Sequence, residues 1–119
     1  MPARRFKFDV FLSHNRAQKD WTREMALRLC AAGFNVWFDE WVLRGGEVGS
    51  IGMERGLQES RHVVLVLSPE FMASEWTDYE TQIALVLSPA NRDRKLIPIL
   101  HTKCKLPPRI SPAQLDRFH

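Results

Sequence analysis

The stretch His62-Val63-Val64-Leu65-Val66-Leu67-Ser68-Pro69-Glu70-Phe71-Met72-Ala73-Ser74-Glu75-Trp76-Thr77-Asp78-Tyr79-Glu80 decides how this chain is read. Its first half is a short, unbroken apolar run bounded by Ser68-Pro69, the pattern of a strand buried on both faces. Its second half turns helical: Trp76, Glu80, Ile83 and Leu87 follow at i, i+4, i+7 and i+11, so they share one helix face. Three of the four are apolar, which predicts that this face packs on the protein. The fourth is a carboxylate. Two readings of Glu80 follow: it sits at the margin of the stripe and reaches water or a structural arginine, or it is a functional group held beside the end of a strand.

Working outward, apolar runs at Phe8–Leu12, Phe34–Phe38, Val63–Leu67 and Leu96–Leu100 recur about every 25–30 residues, the span of a strand–helix repeat. Trp21, Met25, Leu29 and Ala32 lie at helical spacing between the first two, with Gly33 as the stop. Ile51, Met53 and Leu57 predict a short helix weakened by Gly52 and Gly56. Continuous rather than alternating strands, joined by helices, predict an α/β fold with a parallel sheet covered on both faces. In such open sheets ligands bind beyond the carboxyl ends of the strands, where the strand order reverses. Three segments fall at that edge: Ser13-His14-Asn15-Arg16, the loop from Asp39 to Glu47, and Ser68 to Ser74 with Glu80 beyond.

At 119 residues the chain has the size of one domain with a single core. It carries 45% hydrophobic and 26% charged residues, an ordinary globular balance, and a net charge of only +3. Arg4, Arg5 and Lys7 read as a solvated terminus, because no basic patch with interleaved aromatics follows, and no nucleic-acid binding is expected. No apolar run has the length of a membrane span and no signal-peptide pattern precedes the first strand. Cys30 and Cys104 have no metal-ligand spacing and read as free thiols, so the expected location is cytoplasmic, away from membranes.

Ser68-x-x-Phe71-x-x-Ser74-x-Trp76-x-x-x-Glu80 resembles the segment that carries the catalytic glutamate of Toll/interleukin-1 receptor (TIR) domains. Phe8-Asp9-Val10-Phe11-Leu12-Ser13-His14 resembles that family's first box. Gly33-Phe34-Asn35-Val36-Trp37-Phe38-Asp39-Glu40, followed by Leu43-Arg44-Gly45-Gly46-Glu47, is similar to its second strand and the loop after it. Lys95-Leu96-Ile97-Pro98-Ile99-Leu100 with Leu106-Pro107-Pro108 matches its fourth strand and exit. A single box would be weak evidence; four in order and spacing identify the chain as a TIR member, similar to the prokaryotic ones that cleave NAD+.

The resemblance implies a flavodoxin-like open parallel sheet of order 2-1-3-4 with helices on both faces, its fifth strand either missing or only approached. Leu115-Asp116-Arg117-Phe118-His119 looks like the approach to that strand, so residues 1–119 are expected to be one domain, the N-terminal part of a longer protein or a compact variant. With that order, Ser13 and Ser68 would face one another across the switch point, with Glu80 at its floor. The implied activity is cleavage of the nicotinamide–ribose bond of NAD+, with NAD+ as substrate and no cofactor or metal. The products would be nicotinamide with linear or cyclic ADP-ribose. A lone carboxylate suits that chemistry, because it can stabilise the oxocarbenium-like transition state while nicotinamide leaves as a neutral group.

Carried over residue by residue, Glu80 is the catalytic candidate and Trp76 a pocket wall, with a core aromatic as the alternative for Trp76. Ser13, His14 and Arg16 follow the first strand and Ser68 the third. Arg16 either meets a phosphate or pairs with Asp20 at i+4. Asp39 either binds substrate or starts a turn. Trp41 and Val42 are expected in an exposed loop that contacts substrate or another subunit. Gly45-Gly46 replaces the Pro-Gly pair common in this loop, which predicts a freer loop and a higher entropic cost of self-association. Thr77 replaces a frequent Cys without consequence for chemistry. The expected partners are NAD+, other TIR domains, and sensor or effector domains of the same or a partner protein, as in bacterial immune systems. A non-catalytic TIR adapter is the alternative. A phospho-receiver is rejected, because Ser13-His14 and Ser68 stand where its acidic residues would be.

Overall fold

The computed structural model describes residues 6–42, 49–74, 96–106 and 116–117. The buried run becomes β3 (Ser60–Leu67) at the centre of a parallel sheet. It lies between β1 (Phe8–Ser13) and β4 (Leu96–Leu100), with β2 (Val36–Trp37) outside β1 and β5 (Asp116–Arg117) outside β4. The order is therefore 2-1-3-4-5, every pairing parallel. The stretch read as the approach to a fifth strand makes its first two rungs, Asp116 beside Ile99 and Arg117 beside Leu100. Pro98 pairs with Leu65 of β3, and among the described residues no rung of β5 lies opposite it.

Strand alternation divides the core into two layers. Phe11, Trp37, Val63, Leu65 and Leu67 pack on one face with Leu57 of α3 (Gly49–Glu59) and Phe71 of α4 (Pro69–Ala73). Val10, Leu12, Val36, Phe38, Val64, Val66 and Ile99 pack on the other with Ala26 of α1 (Lys19–Ala31). Right-handed crossovers require this split: β1 to β2 runs one way along the sheet, and β2 to β3 the other.

Local details explain where the elements begin and end. Asn15 caps a 3₁₀ turn (Arg16–Gln18), its Oδ1 accepting from Ala17 N–H at 2.8 Å, and this turn leads into α1. Gly33, at φ 98°, closes α1: its N–H donates to Cys30 O and that of Phe34 to Leu29 O, a Schellman motif. The motif leaves Phe34 exposed and starts β2 two residues later than the apolar run suggested. The apolar stripe of α1 is also rotated from the expected one. Thr22 and Ala26 are fully buried against the sheet, Trp21, Met25 and Leu29 pack at their flank, and Ala32 lies exposed beyond the helix. Small residues let the helix approach closely while long ones reach around it. Gly56, expected to weaken its helix, has a different role: a Cβ there would lie 2.6 Å from Trp37 Nε1 and 2.9 Å from Phe11 Cε2. Those two rings stack at 4.3 Å directly beneath it.

Candidate active site

The ends of β1, β2 and β3 bring the described parts of the three predicted segments, residues 13–16, 39–42 and 68–74, to one edge of the sheet, and α1 with its preceding turn ties them together. After β1, His14 is almost entirely buried, its ring tilted on Phe38 at 5.5 Å and its Nε2 3.8 Å from Asp39 Oδ1. Asp39 opens α2 (Asp39–Val42), where its Oδ1 accepts from Glu40 N–H at 2.7 Å. Lys19 Nζ donates to both carboxylate oxygens of Asp39, at 2.7 and 2.6 Å, and lies 5.2 Å from the centre of the Phe38 ring. One turn further along α1, Arg23 grips Glu40 with two guanidinium bonds, its Nε at 2.8 Å from Oε2, and reaches Asp20 at 3.0 Å. Hydrogen bonding to Arg23 holds the Glu40 carboxyl below the usual glutamate range, and Glu40 in turn raises the Arg23 guanidinium.

A second set of bonds joins the loop after β1 to the segment after β3. Ser68 caps α4, its Oγ accepting from Phe71 N–H at 3.0 Å and donating to Gln18 Oε1 at 2.8 Å. Gln18 Nε2 donates to Glu70 Oε1 at 3.0 Å, and Asn15 Nδ2 donates to Ser74 Oγ at 3.0 Å. The Glu70 carboxyl is held below its usual range by its own backbone N–H, then by Gln18 and Ser68. Both Glu40 and Glu70 are thus firmly ionised at neutral pH.

Several predicted site residues have roles the sequence did not reveal. The Ser68 hydroxyl is fully buried and engaged on both sides, which makes it a support for α4 rather than a free ligand group. Ser13 is also buried, and among the described residues its hydroxyl has no partner, a polar group left open at the switch point. Arg16 is exposed on the 3₁₀ turn and, among the described residues, does not pair with Asp20, which bonds Arg23 instead. Trp41 is not in an exposed loop. It lies on α2, half-buried edge-on against Phe38 at 5.1 Å, and Val42 packs into the opposite layer. Glu80, Trp76 and the glycine pair of residues 45–46 lie outside the described residues.

Asn15 and Glu70 fell in segments expected at this edge but were given no role of their own, and Gln18 and Lys19 were missed, since nothing in their spacing announces a partner up to 59 positions away. The His101 ring meets Trp21 edge-on at 4.8 Å, and its Nδ1 lies 2.7 Å from Thr102 Oγ1. Trp21 and His101, with Met25, Leu29 and Leu100, line a cleft of about 500 Å³ along α1, away from the His14–Asp39 cluster. Among the described residues no group of three or more His, Cys, Asp or Glu could hold a metal ion, and no helix is long and apolar enough to cross a membrane.

Residues 10–119 match the sequence profile of the TIR domain. The chain belongs to the TIR family. This TIR domain is 35% identical over 96 residues to the 2′ cyclic ADP-D-ribose synthase AbTIR of Acinetobacter baumannii, which covers 80% of the chain and 35% of that protein. It is 36% identical over 98 residues to the NAD(+) hydrolase PdTIR of Paracoccus denitrificans, covering 82% of the chain and 32% of that protein. The chain therefore spans about a third of the length of such relatives. In fold, the TIR domain of the Toll-related receptor TRR-2 from Hydra magnipapillata superposes with a TM-score of 0.77 at 19% identity, over 94% of this chain and 85% of that one.

Proposed function

We propose that this TIR domain cleaves the bond between nicotinamide and ribose in NAD+, with Glu80 as its catalytic carboxylate. The observation that carries the reading is the position of α4: it leaves the sheet at the β1/β3 switch point, and six residues past Ser74 the chain reaches Glu80 of the recognised motif. Relatives at 35–36% identity named for NAD+ hydrolysis and ADP-ribose cyclisation support it. In this reading the C1′–N1 bond breaks, its electron pair neutralises the pyridinium nitrogen, and nicotinamide leaves without a general acid. The Glu80 carboxylate stabilises the positive charge that builds on the ribose. Water adds at C1′ and loses a proton to give ADP-ribose, or a hydroxyl of the substrate itself adds to give a cyclic form.

Ser13 and His14 line the substrate cleft at the end of β1, with Arg16 exposed to meet phosphate and Trp76 as an aromatic wall. The orphaned Ser13 hydroxyl gains its missing hydrogen bond from the substrate. Asp39, Trp41 and Val42 shape the far side through α2. The domain acts as the NAD+-consuming part of a longer cytoplasmic protein, switched on by TIR–TIR assembly in a bacterial defence system, with no cofactor.

The test is nicotinamide release from NAD+ by purified protein clustered on beads. Glu80→Gln should lower turnover by about two orders of magnitude, with the melting temperature unchanged. Residual activity above roughly a tenth of wild type would remove Glu80 from the role. Chromatography of the second product distinguishes linear from cyclic ADP-ribose.

A further inference from the structure

We propose that Gln18 is a positioning residue: its carboxamide locks α4 onto the turn after β1 and so sets the direction in which the chain leaves toward Glu80. The proposal deepens the reading above and rests on it only for the role of Glu80.

At five residues, α4 is too short to hold its own shape. It is held from outside, and Gln18 supplies two of the bonds that hold it. Gln18 is 7% exposed and uses both ends of its amide, the oxygen accepting from the Ser68 hydroxyl and the nitrogen donating to the Glu70 carboxylate. The first bond fixes the residue that caps α4; the second fixes its first turn. Fully buried Phe71 anchors the helix in the core, and Asn15, three residues before Gln18, bonds Ser74 where α4 ends. The exit of α4 is thereby referenced to the loop that carries His14 and Arg16. A carboxylate in a cleft loses much of its effect when displaced by about an ångström, so a residue that fixes this path acts on turnover without touching substrate.

The amide makes the proposal testable, because its two ends are chemically distinct. Gln18→Glu keeps the acceptor for Ser68 but places a second carboxylate where the Glu70 carboxylate lay at 3.0 Å from a donor. Combining it with Glu70→Gln restores a donor–acceptor pair with the roles exchanged. We expect Q18E to lower kcat by about tenfold or more, with KM for NAD+ within about threefold, and the double variant to recover most of the loss. In parallel, backbone amides across residues 70–74 should exchange roughly tenfold faster in Q18E and return to wild-type protection in the double variant, with β1 and β3 unchanged. If Q18E does not fold, Gln18→Leu, which removes both bonds without adding charge, replaces it as a single variant read by exchange and kcat, without the rescue step. Unaltered exchange across 70–74, or a double variant that fails to restore it, overturns the proposal. If wild-type protein releases no nicotinamide even when clustered, the assigned activity fails, and the exchange data still decide the role of Gln18.

Discussion

Gly56 shows how a single residue is fixed by what lies beneath it. In the middle of a helix glycine costs up to about 1 kcal/mol relative to alanine, yet here the missing Cβ is what lets α3 sit on the Phe11–Trp37 stack. A methyl group would approach the Trp37 ring to 2.6 Å, and neither buried ring is the free end of a flexible side chain. Gly56→Ala should therefore destabilise the fold by about 1–2 kcal/mol, overpacking outweighing the propensity gain. The midpoint of urea unfolding measures this; an unchanged or raised midpoint would show that the stack yields. The sequence suggested only a weakened helix at this position, because a glycine reads as a breaker until the ring under it is seen. Gln18 and Lys19 were equally opaque, since a polar residue at a helix start looks the same whether it meets water or a carboxylate. Glu80 was legible because it stands in a motif whose members are close in sequence.

At the scale of elements, the strands were the easiest to read. Val63–Leu67 and Leu96–Leu100 are apolar without interruption, and burial on both faces leaves that signature and little else. The helices were less legible: Trp21, Met25 and Leu29 mark the flank of α1, whereas the contact itself is made by Thr22 and Ala26, which carry weaker apolar signals. The four residues of α2 gave no periodicity to read, and their order comes from α1. Lys19 and Arg23, one helical turn apart, clamp Asp39 and Glu40, the first two residues of α2. Lys19→Met should lower stability by only about 0.5–1 kcal/mol, because both partners of its ion pair remain about a third or a quarter exposed to solvent. Its larger effect should be local, with faster amide exchange across residues 39–42 than in the rest of the sheet. Uniform exchange in the variant and wild type would show that α2 holds its place without the clamp.

For the whole molecule, the α/β architecture follows from the run spacing together with the handedness of crossovers, which assigns α1 to one face and α3 and α4 to the other. The composition offered no guide to assembly. If the domain acts by TIR–TIR association, the specific activity of NAD+ cleavage should rise steeply with protein concentration or clustering. A specific activity constant over about a hundredfold dilution would argue for an active monomer. Trp41→Ala separates two contributions at this scale. Loss of packing against Phe38 lowers activity equally at all concentrations, whereas loss of a subunit contact lowers it most in dilute protein.

The four residues of α2 have one more property. Trp41 is sunk in the layer beneath α1, while Val42, its immediate neighbour, is sunk in the layer beneath α3. This short segment works like a rivet through a laminate, joining the core layers on the two faces of the one sheet at its open rim. Any force on the chain leaving Val42, from a bound molecule or a neighbouring copy, is felt on both sides of the sheet at once. Because the two contacts are adjacent in sequence, displacing one residue strains the packing of the other.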